Sequence, residues 1–200
     1  MEFVATALFY EKEGYKFRKY LDIKEKNTQK DTPDLMVIMM NPGSSRPQDS
    51  IDNNDTESIA VPDSTQWQIW SVMQILNLEF ARILNLSDLR EPKSNIFYSR
   101  MIELDNKGIS HSIFSLERSY ELDNLFIKEV PVILAWGVDK NLRKLAEKAI
   151  QRFRGSQTFG IRKEGNTVAY YHPLPPNIHG QKKWVEDITK IMKAVDINLS

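Results

Sequence analysis

Short apolar runs alternate along this chain with stretches of helical periodicity. Leu35–Met40 is continuously apolar and stops at Asn41-Pro42-Gly43, the profile of a strand buried on both faces. Val130–Trp136, closed by Gly137, and Thr167–Tyr171 repeat that profile, and Asn95–Met101 is a further strand candidate. Between them, Gln66–Leu84 reads as an amphipathic helix carrying Trp67, Trp70, Ile75 and Leu78. Ser115–Ile127 (Leu116, Tyr120, Leu125), Asp139–Phe153 and Lys182–Val195 are also predicted helical. Phe3–Leu21 mixes aromatics with charges and fits either an opening strand pair or a short helix. Lys24–Asp34 is a polar linker, and Ser44–Ser64, with Pro47 and Pro62, a long polar loop. Strands alternating with helices predict an α/β fold: a three-layer α/β/α sandwich around a mostly parallel, four-stranded central sheet. No internal repeat or low-complexity tract divides the chain, so residues 1–200 are expected to form one domain.

Composition narrows the chemistry. Hydrophobic content of 41% suffices for a sizeable core. No apolar run reaches membrane-spanning length, and Met1-Glu2-Phe3 opens no signal peptide, so a soluble, cytoplasmic protein is expected. With no cysteine there is no disulfide, thiolate zinc site or Cys-ligated iron–sulphur cluster, and three histidines leave little for a His-rich metal site. Formal net charge is zero, but its distribution is uneven. Lys140, Arg143, Lys144, Lys148, Arg152, Arg154, Arg162 and Lys163 face only Glu147 as an acid, which fits phosphate contact or a solvated helix face. Asp49, Asp52, Asp55, Glu57 and Asp63 make the loop before Ser64 acidic. Asp52-Asn53-Asn54-Asp55 is spaced like a calcium loop, but Glu57 occupies the position where such loops need glycine. His111 lies in a polar loop and indicates nothing specific, while Trp67, Trp70 and Trp184 read as packing residues.

Two polar residues stand where strands end. In open α/β sheets, ligands bind at the carboxyl ends of the strands. Asn41 can hold a water by its carboxamide oxygen or pair with an amide edge, and Pro42-Gly43 turns the chain sharply and lets backbone N–H groups approach a ligand. His172 can donate to a developing anion or act as a base. Each alone is ordinary turn chemistry; together they mark one rim.

These segments, in order, resemble motifs of the uracil-DNA glycosylase superfamily. Met39-Met40-Asn41-Pro42-Gly43-Ser44-Ser45 resembles the Gly-Ile-Asn-Pro-Gly…Leu-Ser-Ser motif of its mismatch-specific uracil/thymine-DNA glycosylase branch. Val61-Pro62-Asp63-Ser64-Thr65-Gln66-Trp67 resembles that branch's Pro-x-Asn-Arg-Phe-Trp segment. Val132-Ile133-Leu134-Ala135-Trp136-Gly137 is similar to the Phe-Leu-Leu-Trp-Gly strand of classical uracil glycosylases, and His172-Pro173-Leu174-Pro175 to their His-Pro-Ser-Pro. The landmarks span residues 35–190.

The resemblance implies a monomeric DNA N-glycosylase, working without metal or cofactor on a base flipped out of DNA. Asn41 would position the attacking water and His172 would stabilise the departing base. Met40, Pro42, Gly43 and Ser44 would line the pocket, and Asn95 would read the base edge. Pro173, Leu174, Pro175, Pro176 and Asn177 would enter the gap in the duplex, with His179, Lys182 and Lys183 on phosphates.

There are departures from the family pattern. Ser58–Pro62 offers no aromatic to stack on a base, Leu174 replaces the motif serine, and Pro176 stands where the wedge leucine is usual. Absence of an aromatic clamp, beside a loop holding Asp49, Asp52, Asn53, Asn54 and Asp55 as partners for sugar hydroxyls, points to a bulky modified base rather than plain uracil. Members of the superfamily that attack modified phage DNA would make this an antiviral function. Two alternatives stay open: a non-catalytic nucleic-acid or nucleotide-binding module of the same fold, and a nucleoside or nucleotide hydrolase.

Overall fold

A computed structural model describes residues 3–52 and 55–195. The opening segment is a strand pair, β1 (Phe3–Lys12) and β2 (Tyr15–Glu25), antiparallel across a two-residue turn. Glu13 and Gly14 both take positive φ (51° and 75°), the twist that suits such a hairpin. In β1 the alternation is plain: Ala5, Ala7 and Phe9 are buried while their neighbours are not. β2 breaks its own alternation. Leu8 pairs with Tyr20, but Phe9 pairs with Arg18, so Lys19 is an extra residue, a β-bulge.

β3 (Leu35–Met39) is buried throughout and lies between β5 (Phe80–Asn85) and β6 (Val132–Leu134), parallel to both. β7 (Thr158–Phe159) extends this parallel part beyond β6, and β4 (Ser58–Ile59) pairs antiparallel with β1 at the opposite edge. The sheet therefore has seven strands in the order β4-β1-β2-β5-β3-β6-β7, mixed in direction, and the expected sheet of four mostly parallel strands is corrected. The parallel half holds four strands, and the hairpin adds an antiparallel half because β2 runs against β5.

Five α-helices are present among the described residues. α1 (Ser64–Leu76) and α5 (Ile178–Lys193) pack on one face through Ile69, Trp70, Met73, Trp184, Ile188 and Met192. α2 (Ser94–Asn106), α3 (Ser119–Leu125) and α4 (Arg143–Arg152) cover the other through Phe97, Leu104, Leu122, Leu145 and Ala149. None is long and apolar enough to cross a membrane. Trp70 and Trp184 are buried as expected of packing residues, and the more exposed Trp67 meets Phe3 edge-on at 4.7 Å.

Three predicted elements are corrected. The helix expected over Gln66–Leu84 ends at Leu76, where Asn77 adopts a left-handed cap (φ 54°), and Phe80–Asn85 becomes a central strand. Arg82 masked that strand in the sequence; it is held by two 2.7 Å hydrogen bonds to Asp22 on β2. Asn95–Met101 is not a strand but part of α2. Its buried residues Phe97, Met101 and Leu104 are spaced by four and three, the helical period. Thr167–Tyr171 forms no strand either. Tyr170 makes only isolated bridges, to Gly137 and Arg162.

Candidate functional site

Beyond β3 the chain stays paired for one more residue, Ser87 N–H donating to Met40 C=O at 3.1 Å, and then delivers Asn41 to the sheet's carboxyl rim. Asn41 Nδ2 donates to the carbonyl oxygens of Glu91 (2.7 Å) and Leu89 (3.3 Å). Two carbonyls can only accept, so the amide nitrogen must face them, and Oδ1 is left as the free end. Pro42 is buried, and Gly43 takes φ +59° in a turn closed by Ser45 N–H to Pro42 C=O.

His172 reaches the same rim on the segment before α5. Leu174 N–H donates to its Nδ1 at 3.1 Å. The neutral imidazole therefore carries its proton on Nε2. Burial pushes the His172 pKa down to about 4, with Asp63 pulling weakly the other way, so the ring is neutral at physiological pH. The segment is pinned on both sides: Trp184 Nε1 donates to Tyr171 C=O (3.0 Å) and Gln181 Nε2 to Pro175 C=O (3.0 Å).

Asn41 and His172 line one cavity of about 370 Å³, within the range of small-molecule sites. Met40, Pro42, Gly43, Ser44 and Leu174 line it too, as the sequence suggested for the pocket and its neighbouring loop. No Phe, Tyr or Trp is among its lining residues. Asp63, Gln66 and Arg18 are among the lining residues that had no role assigned from sequence. Asp63 caps α1, its Oδ1 accepting from Thr65 N–H and Gln66 N–H, so the first turn of that helix borders the cavity. Gln66 is 2% exposed, and its Oε1 has no partner among the described residues. Arg18 is 3% exposed and donates from Nη2 to Asn85 Oδ1 at 2.9 Å, while its Nε has no partner. The Asp-Ser-Thr-Gln capping signal at residues 63–66 was legible, whereas Arg18 carried no local sign.

Several predicted residues lie elsewhere. Asn95 is exposed on the first turn of α2 and does not line the cavity, which corrects its expected place on a strand. Pro173 is buried and Pro175 half-buried; Pro176, His179 and Lys182 are exposed beside the rim. Asn177 Oδ1 is taken up in capping α5, accepting from Gly180 N–H at 2.7 Å. Lys183 pairs with Asp187 at 3.0 Å. In the acidic loop, Asp52 is buried between Lys16 (2.9 Å) and Arg90, and Asp49 accepts from Ile51 N–H. Asp52 is taken up by these cations, Asp49 is exposed with its second oxygen open among the described residues, and neither lines the cavity. Asn53 and Asn54 lie outside the described residues.

A larger cavity of about 680 Å³ opens between α2 and α4, lined on one side by Lys140, Arg143, Lys144 and Lys148. His111, half of a hydrogen bond with Ser87 Oγ (2.9 Å), is buried in its wall.

The family model described as "Protein of unknown function (DUF1643)" matches residues 21–174. That is most of the chain, and the protein belongs to this family. No curated protein and no solved structure matches it.

Proposed function

Starting from a family whose description assigns no activity, we propose that this protein is a DNA glycosylase with the uracil-DNA glycosylase-like α/β/α architecture. It hydrolyses the N-glycosidic bond of a base flipped out of DNA and leaves an abasic site. The observation that carries the proposal is one cavity shared by a free Asn41 Oδ1 and a neutral His172 whose proton is locked on Nε2. Asn41 Oδ1 holds a water by accepting one of its protons. As the C1′–N bond breaks, its electron pair goes to the base, and the water oxygen bonds to C1′ while releasing a proton to solvent. His172 Nε2–H donates to the base oxygen on which negative charge builds, and a preset hydrogen bond of this kind costs no reorganisation during the reaction.

The absence of an aromatic lining residue supports a substrate less planar and bulkier than uracil, such as a modified base of phage DNA, and hence an antiviral role in the cytoplasm. Hydroxyl recognition by Asp52 is no part of that reading, since Lys16 and Arg90 hold its carboxylate, and Asp49 lies outside the cavity lining. DNA is the partner, met by a monomer without metal or cofactor. In this reading Lys182 and His179 meet phosphates, which their exposure beside the 172–177 segment supports.

The test is an abasic-site assay on DNA containing uracil and on DNA containing glucosylated hydroxymethylcytosine, with Asn41→Ala and His172→Ala as controls. Release of either base, reduced on the order of 100-fold in each variant, is expected. Cleavage of free nucleosides but not DNA would favour a nucleoside hydrolase, and binding of DNA without cleavage a non-catalytic module.

A further inference from the structure

The floor of the cavity depends on a register fault in β2. Down the β1–β2 hairpin, the pairs facing α1 and α5 are Ala5 with Ile23 and Ala7 with Leu21, all core residues. Without the bulge at Lys19, the next pair on that face would bring in Lys19. The extra residue instead sets Arg18 opposite Phe9, and Phe17 turns to the other face against Tyr10. A guanidinium thus enters the core layer beneath the ends of β3 and β5.

Its surroundings leave it incomplete. Arg18 is 3% exposed; its side-chain bond goes to Asn85 Oδ1, a neutral acceptor, and Nε has none. It forms no ion pair among the described residues; Asp63, which also lines the cavity, and Asp88 favour its charge through their fields, and Arg90 opposes it. A guanidinium offers five donors and a full charge, and a buried charge without a partner is costly. Lining the same cavity, Gln66 Oε1 is a buried acceptor without a donor among the described residues. His172, being neutral, adds a hydrogen bond but no charge.

We propose that Arg18 is the cavity's charged binding residue: it takes the electron-rich oxygen edge of a heterocyclic ligand, prefers that ligand as its anion, and leaves Gln66 to accept from a neighbouring N–H. The leaving-base part of this role rests on the glycosylase reading; the binding part rests on the cavity alone. Labour is divided between two residues, with Arg18 stabilising the charge of the departing base and His172 holding the atom on which it gathers. The bulge is what makes the site.

Free 5-fluorouracil, whose ring N–H ionises near neutrality, separates the two forms. Calorimetric titration of the full chain at about pH 7 and about pH 8.5 spans much of that ionisation while His172 stays neutral and Asp88, whose pKa burial raises to about 6, is mostly ionised at both. Arg18 is mostly charged at both, since burial lowers its pKa only to about 10. The anion is expected to bind about 10-fold or more tighter than the neutral base, as a charge-assisted hydrogen bond allows. Arg18→Gln should lose the preference, Arg18→Lys should keep part of it, and Gln66→Glu, which adds a carboxylate to the lining of the same cavity, should abolish it. If Arg18→Gln does not fold, the wild-type comparison and Gln66→Glu decide.

Equal affinity for the two forms, no binding at all, or a preference surviving in a folded Arg18→Gln overturns the proposal. In DNA, Arg18→Gln should slow release of uracil more than release of 5-fluorouracil, the better leaving group. Anion binding through Arg18 without any base release would refute the glycosylase reading and leave this inference standing. Base release indifferent to Arg18→Gln would do the reverse.

Discussion

The substitution Asn41→Asp replaces the Nδ2–H₂ donor with an oxygen, facing the carbonyls of Leu89 and Glu91 at 3.3 and 2.7 Å. An ionised carboxylate at this position would meet two acceptors with a third. The variant loses two hydrogen bonds and leaves both carbonyls short of a donor, each worth about 1–1.5 kcal/mol, so about 2–3 kcal/mol of stability should go at neutral pH. For a chain of this size that is a fall in Tm of roughly 4–12 °C. The sign of the pH dependence follows from the same geometry. The folded state favours a protonated, donating carboxyl, which raises the folded pKa above an unfolded value of about 3.9. The deficit is therefore smallest below the unfolded pKa and grows as pH rises through the folded one. Thermal melts of both proteins from about pH 4 to about pH 8 measure the gap, and His172 cancels because both carry it. Equal Tm at neutral pH, or a gap that widens on acidification, would refute the assigned orientation of Asn41 and with it the free Oδ1.

Other expectations follow from the same structure. His172 has a folded pKa of about 4 against an ordinary 6.5, so the unfolded chain binds the extra proton and stability falls as pH drops from 6.5 to about 4. The His172→Gln variant should lack that component, worth up to about 3 kcal/mol, and a melt series identical to wild type would contradict it. Wild-type base release should stay level from neutral pH to about pH 5, and an inflection near 6.5 would mean that His172 titrates normally. Asp52→Ala should cost about 1–2 kcal/mol in urea unfolding, chiefly by leaving the mostly buried Arg90 without its carboxylate, since half-exposed Lys16 can rehydrate; no change would show that the pairing is idle. Lys182→Glu should weaken DNA binding across all sequences and flatten its salt dependence, and an unchanged slope would put Lys182 on a merely solvated face.

Much of the rim was legible because its signals are local. Asn41-Pro42-Gly43 and His172-Pro173 are turn chemistry that follows an apolar run, and such signals need no distant partner. The segments that misled have local patterns compatible with two structures. Phe80–Asn85 continues the apolar run of α1 with only Asn77 to mark the break. Asn95–Met101 packs Ile96, Phe97 and Tyr98 together as a strand would, though burial picks out Phe97, Met101 and Leu104. Neighbouring strands and helix faces, not propensity, resolve such ambiguity.

The sequence by itself determined the α/β alternation, the fully buried β3 and the polar residues at its end, because these depend on residue type within a few positions. Only the tertiary structure decided the mixed seven-stranded sheet, the position of Asn95 on the exposed side of α2, and the engagement of Asp52 by Lys16 and Arg90. It also decided Arg18. A bulge is a property of pairing between two strands, and no pattern within β2 announces that Lys19 is skipped; the parity of every side chain before it turns on that one residue.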